Sequence, residues 1–402
     1  MAATRSVRLM LVAAAAAQLA IAGCSTPSRL PAVPRASALQ AHSPVRFLVA
    51  RETESFTAEA QSAVAKERAW LASQGAGPEL PPAYFLAISG GGDNGAFGSG
   101  VLNGWTASGT RPEFKVVTGV STGALIAPFA FMGSKYDYVV KKVYTTTAQK
   151  DIFKKRGITA LLFGDSMADT RPLATLIGSY VTREFLDEIA AEYAKGRILL
   201  VGTANLDSLE PVIWNMTAIA ASQDPGSMEL FRRILLASAS IPGAFPPVMI
   251  DVNLGGTSYQ EMHVDGGTMA QVFLYPPSIS VANTVQRKRV LYIIRNARLD
   301  ADWASTDRRT MTIAMRAIES LTTTQGIGDL YRIYATAQRD GLDYNLAFIP
   351  PTFNTPHREM FDTTYMQSLY EVGFEAAKAG YPWQKYPPGF AAPVRAEPPP
   401  GQ

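Results

Sequence analysis

The stretch FKVVTGVSTGALIAPFAFM, residues 114–132, constrains this chain more than any other. A β-branched run reaches Gly119-Val120-Ser121-Thr122-Gly123, and an apolar segment with no polar face follows. The first flank reads as a buried strand and the second as a buried helix. Gly119 and Gly123 leave room for the strand to turn sharply into the helix. That geometry lifts Ser121 above the carboxyl edge of a sheet, at a helix N-terminus. The competing reading is a turn serine that caps the helix.

The same alternation runs through most of the chain. YFLAIS (84–89) is a short apolar run of the kind a buried strand needs, and a helix takes over from about Ala96. Residues 196–216 read as strand, turn and strand. A helix from Met228, a proline-broken loop and a strand ending near Ile250 come next, then a buried strand at 289–297. A long helix over 306–339, a strand at 344–350 and a helix over 365–378 close the pattern. Strands alternating with helices predict an α/β fold, a three-layer α/β/α arrangement around a largely parallel sheet. With 402 residues, 47% of them hydrophobic, the chain can bury one large core. No repeat or composition break divides it, so residues 51–385, including a helix over 55–74, are expected to form one domain. The mostly helical stretch 135–190, with its apolar GITALLF (157–163), is an insertion, a lid or a set of ordinary core helices.

The N-terminus is organised differently. Arg5 and Arg8 precede an apolar run that ends in small residues and the sole cysteine, Cys24. This is the layout of a secretory signal peptide over residues 1–23, a retained N-terminal anchor being the alternative. IAGC resembles the bacterial lipobox, in which the cysteine is lipidated. Ser25 rather than aspartate then implies the outer membrane, on its periplasmic side. The Ser/Pro/Ala-rich segment that follows is expected to act as a lipidated tether over 24–50, and the proline-rich end, 386–402, to be loose. Cleavage before Cys24 removes two arginines and no acid, which takes the formal charge from +3 to about +1. Attraction to anionic lipid is therefore expected to be weak. No arginine–aromatic stripe points to nucleic acid.

A serine hydroxyl attacks only when its proton can leave and the oxyanion is stabilised. The glycine-rich GGGDNG at 90–95 follows the first strand and opens a helix, so its backbone N–H groups can cradle negative charge. A phosphate loop would require the lysine of G-x-x-x-x-G-K-[ST], which is missing. A dinucleotide site would want an acid at a strand end about 20 residues on, and Glu113 precedes its strand. An oxyanion hole fits better, because a candidate nucleophile lies one strand further along. The chain has only three histidines. His42 lies in the tether. His357 sits in a late loop and would suit a serine–acid–histidine order. His263 shares one face of an extended segment with Asp265. Asp265 precedes two glycines, where the backbone can approach another segment closely. Burial would raise its basicity enough to take the serine proton directly; its alternative is a turn aspartate binding its own backbone. No His/Asp/Glu cluster has metal-ligand spacing, and no cofactor is called for.

SGGGDNGAFGSGVLNGW, TGVSTGA, ASASIPGAFPPV and VDGG, in that order, resemble the patatin-like lipid acyl hydrolases across roughly residues 84–350. The resemblance implies a Ser–Asp dyad at Ser121 and Asp265, an oxyanion loop at Gly90–Gly92 supported by Gly95, and lipid acyl esters as substrates. The family loop usually carries arginine or lysine before its last glycine, where this chain has Asn94. An amide donates but brings no charge, so strongly anionic head groups are not expected to be favoured there. A lipid-binding or envelope-scaffolding lipoprotein on a retired hydrolase fold is the non-enzymatic alternative.

Overall fold

The computed structural model describes residues 27–38, 45–49, 51–157, 164–222, 224–282, 285–300, 303 and 305–390. Cys24, the expected signal peptide, residues 158–163 of the apolar GITALLF and residues 391–402 of the expected tail lie outside them.

Eleven strands are present among the described residues: β1 (Arg46–Leu48), β2 (Ala83–Ile88), β3 (Val116–Val120), β4 (Lys154–Lys155), β5 (Ala168–Asp169), β6 (Ile198–Asn205), β7 (Glu210–Asn215), β8 (Val248–Leu254), β9 (Thr257–Asp265), β10 (Arg289–Arg295) and β11 (Leu342–Phe348). The helices relevant to the site are α1 (Thr53–Ser73), α2 (Gly95–Ala107), α3 (Thr122–Met132), α4 (Asp137–Thr146), α5 (Gln149–Ile152), α6 (Arg171–Tyr180), α7 (Arg183–Ala194), α8 (Met216–Ala221), α9 (Ser227–Ser238), α10 (Thr310–Asp340) and α11 (Thr363–Lys378).

The main sheet runs β1-β7-β6-β3-β2-β10-β11. The run β6-β3-β2-β10-β11 is parallel, while β7 and β9 join β6 antiparallel. One face carries the larger core, with Phe97, Ile126, Phe131, Leu186 and Phe231 all fully buried. The other carries a smaller core between β2, β10, β11 and the inner half of α10. The α/β class and the mostly parallel, two-sided sheet are therefore as the alternation of buried strands and helices requires.

Three features differ from the sequence expectation. Residues 46–48, inside the expected tether, form an edge strand on β7, with Phe47 and Leu48 buried. Three residues of RFL suffice because β7 already offers an unpaired edge. The β8–β9 hairpin turns at Gly255–Gly256, both at positive φ; Gly-Gly between two alternating runs is its local signal. At the C-terminal end, Phe390 packs on Tyr331 and Tyr334 of α10.

Candidate active site

Ser121 stands between β3 and α3 with φ 55° and ψ −125°, a left-handed conformation that is costly for a residue with a side chain. The surroundings hold it there. A Cβ on Gly119 would overlap the Gly123 carbonyl, and one on Gly123 would overlap the Ile88 carbonyl, so both ends of the turn must be glycine. The Ser121 N–H donates to Ser238 Oγ at 3.0 Å, and Ser238 Oγ donates to the Gly202 carbonyl at 2.7 Å.

Strand register brings Asp265 to this serine. Val120 pairs with Gly202 on β6, and the next residue of β6, Thr203, pairs with Asp265 at the end of β9. The Asp265 N–H donates to the Ser240 carbonyl at 2.9 Å. Its Oδ1 accepts from the Gly267 N–H at 2.7 Å. The Ser121 side chain acts on the same carboxyl and lowers its pKa. Burial pushes the Asp265 carboxyl up to about 7, and Ser121 and Gly267 only partly oppose that. A carboxyl poised there can accept a proton near neutral pH.

The glycine loop lies beside this pair. Gly91 has φ 151°, and a Cβ on it would overlap the Asn296 carbonyl. Asn296, fully buried at the end of β10, clamps the loop: its N–H and Nδ2 donate to Ser89 Oγ and O at 2.8 and 2.9 Å, and its Oδ1 accepts from the Gly98 N–H at 3.0 Å. The expected three-glycine donor set is narrowed. The Gly90 N–H is engaged by the Gln271 carbonyl at 2.9 Å, which leaves Gly91 and Gly92 as candidate donors. Gly95 opens α2 against Thr122 and Tyr144, where a Cβ would overlap both.

The histidines have other partners. His263 is fully buried, with Nδ1 on Thr203 Oγ1 at 2.9 Å and Nε2 on Glu261 at 3.2 Å. Burial lowers its pKa, so at neutral pH it is an uncharged part of a structural network. His357 Nε2 meets Asp93 Oδ2 at 2.7 Å, and the Phe361 N–H donates to the same oxygen at 2.7 Å. The His357 ring stacks on Tyr365 at 4.4 Å, and the Tyr365 hydroxyl donates to Asn94 Oδ1 at 2.6 Å. Asp93 and Asn94, the two residues that set this loop apart, are thus both gripped by the segment 357–365. The hydrogen bond to Asp93 raises the His357 pKa.

Ser121 and Gly92 line an apolar pocket. Leu125 and Phe129 of α3, Val143 and Tyr144 of α4, Ile152 of α5, and Leu173, Leu176 and Tyr180 of α6 contribute to its walls, with Leu235 of α9 and Phe361. The stretch 135–190 therefore supplies both core helices and one wall of the pocket. Ser238, Ser240, Asn296 and the His357–Asp93 contact have no role in the sequence reading. ASAS, small polar residues ending an apolar helix, was the one local hint of them.

A strained serine between strand and helix, a buried carboxyl and a glycine loop thus come together beside an apolar pocket of an α/β domain. Residues 86–276 match the Patatin-like phospholipase family. No curated protein matches it in sequence. Among solved structures it is similar to VipD from Legionella pneumophila, with 12% identity, 75% of this chain and 66% of that one covered, and a TM-score of 0.38. It is also similar to ExoU of Pseudomonas aeruginosa in complex with SpcU (13%, 75% and 52%, 0.33) and to human GIVD cytosolic phospholipase A2 (9%, 69% and 51%, 0.28). The chain thus spans between about half and two thirds of these proteins' lengths.

Proposed function

We propose that this protein is a serine acyl hydrolase that cleaves carboxylic ester bonds of lipids. The observation that carries the reading is Ser121, held at positive φ on the wall of an apolar pocket with the buried Asp265 carboxyl, raised to about 7, acting on it. Ser121 Oγ attacks the ester carbonyl while its proton passes to Asp265. The oxyanion is held by the N–H groups of Gly91 and Gly92. Collapse expels the alcohol, which takes the proton from Asp265, and leaves an acyl group on Ser121. Asp265 then takes a proton from water as the water attacks the acyl carbonyl. Collapse frees the fatty acid, and the proton returns to Ser121. The pocket accommodates the acyl chain, since its walls are aliphatic and aromatic.

Comparing the parent with Ser121→Ala on p-nitrophenyl esters and on phospholipid vesicles tests this. Equal rates would refute it. Stoichiometric fluorophosphonate labelling that vanishes in Ser121→Ala separates an enzyme from a scaffold on the same fold. Export and anchoring through an acylated Cys24, on the periplasmic face of an outer membrane, belong to the same proposal. The support is residues 1–25. Metabolic labelling with an alkyne fatty acid, compared between parent and Cys24→Ala, checks it, and equal labelling refutes it.

A further inference from the structure

The formal charge of +3 conceals an uneven distribution. Residues 135–171, which contribute one wall of the apolar pocket, hold eight Lys or Arg against four Asp or Glu, so the rest of the chain has more acids than bases. All four acids are engaged. Asp137 pairs with Arg111, Asp165 with Arg156 and Asp169 with Arg171, while Asp151 accepts the Ala148 N–H of its own turn. Lys150, Lys154 and Lys155 are exposed and make no ion pair with any described residue.

These lysines sit on elements that adjoin the pocket from outside. Lys154 and Lys155 form β4, pinned antiparallel to β5 by the pairs Lys154–Asp169 and Lys155–Ala168. Lys150 and Lys154 share a shallow concave surface with Arg171 and Leu176. Leu176 also lines the apolar pocket, as does Ile152, which lies between the two lysines in sequence. A cationic outer surface and an apolar inner surface are thus two sides of the same short elements.

We propose that Lys150, Lys154 and Lys155 form a docking face for an anionic phospholipid surface, which brings the mouth of the apolar pocket against the bilayer. Charge complementarity selects the occupant. A lipid surface of negative potential attracts each nearby lysine by about 1 kcal/mol, and it lies beside the acyl chains that the adjoining pocket fits. The whole-chain charge of about +1 expected after processing is too coarse a measure, because screening confines attraction to roughly 8–10 Å from each charge. The last step, delivery of lipid to Ser121, rests on the hydrolase reading; docking itself does not.

Sedimentation with vesicles tests the docking face. The reference protein is the full chain with Ser121→Ala and Cys24→Ala, so that neither turnover nor an acyl anchor contributes. It is compared with the same chain carrying Lys150→Gln, Lys154→Gln and Lys155→Gln. On equal parts phosphatidylcholine and phosphatidylglycerol, the triple change weakens binding by about 100-fold, three lysines at about 1 kcal/mol each. The difference closes at about 1 M salt and is absent on phosphatidylcholine alone. A control that loses the same charge elsewhere, Lys195→Gln, Lys378→Gln and Lys385→Gln, binds like the reference. Equal binding by reference and triple variant on the mixed vesicles overturns the proposal. Equal weakening by the control also overturns it, since net charge alone would then account for the effect. With Ser121 and Cys24 intact, the triple variant hydrolyses soluble p-nitrophenyl butyrate at the parent rate. Failure of the parent itself on that ester sinks the hydrolase reading and leaves the vesicle result to stand alone.

Discussion

Strand β9 presents two buried carboxyls four residues apart, and the protein treats them in opposite ways. Glu261 and Asp265 alternate onto the same face and are about equally buried, at 4% and 5% exposure. Burial pushes Glu261 up, but His263 donates to it and Arg46 pairs with it, and the net pKa falls. Among the described residues Asp265 is acted on by the Ser121 side chain and the Gly267 N–H and by no cation, and its pKa rises to about 7. A carboxylate neutralised by an arginine is a stable strut with no basicity to spare. One left without a cation carries a stability cost and can take a proton. The difference is made by His263 and by Arg46 of β1, both of which reach Glu261 and neither of which acts on Asp265.

The largest expected effect breaks the reactive half of this pair. Ser121→Ala lowers ester hydrolysis by on the order of 10⁴-fold or more, and Asp265→Asn by about 10³–10⁴-fold, both in kcat with little change in KM. These are read from initial rates on a soluble ester. Asp265→Asn also sharpens the contrast in stability. The folded pKa lies above the unfolded value near 3.8, so ionising Asp265 destabilises the fold as pH rises between about 4 and 7. The variant is therefore more stable than the parent above pH 7, by up to about 4 kcal/mol at 1.36 kcal/mol per pKa unit, and equal to it near pH 4. Urea melts at the two pH values check this, and a variant less stable at pH 8 counts against it.

Arg46→Met tests the structural half. It strands a buried Glu261 charge and costs about 3 kcal/mol of stability, while kcat on the soluble ester and its pH profile stay as in the parent. Chemical denaturation with a parallel activity assay separates the two outcomes. For the parent, kcat/KM rises with pH through an apparent pKa near 7 as Asp265 ionises. A limb near 4 instead would mean that Asp265 is solvated like an ordinary surface acid.

The smallest effect belongs to the segment that grips the glycine loop. His357, whose pKa is raised by its hydrogen bond to Asp93, faces that carboxylate, with Asp362 nearby and Tyr365 stacked against the ring. His357→Gln lowers kcat roughly 3- to 10-fold by loosening the oxyanion donors, a small part of what removing a donor costs. A loss of 10³-fold or more would instead give His357 a direct part in proton transfer.

How much of this could be read in the chain follows from how local each demand is. The elbow at 119–123 was legible because two glycines, a β-branched run and an apolar helix are neighbours in sequence. The loop at 90–95 and the DGG turn were legible for the same reason. The clamps were not. Asn296 reaches Gly98 across 198 residues and His357 reaches Asp93 across 264, and a lone asparagine or histidine carries no periodicity to betray its partner. Nor could the Gly90 N–H be assigned to Gln271 in advance, since any backbone donor in the loop looked equally free.

The sequence alone determined the alternation of buried strands and helices, the places where the backbone must turn without a Cβ, and the residue types able to attack and to accept a proton. Those properties belong to single residues and their near neighbours, so they survive the loss of all three-dimensional information. Only the tertiary structure decided that Asp265 lacks a cation while Glu261 has one, which glycine N–H groups remain open, and that the unpaired lysines back onto the apolar pocket. Basicity, vacancy and charge density arise from groups distant in sequence sharing a small, poorly solvated volume, and register and packing set which groups those are.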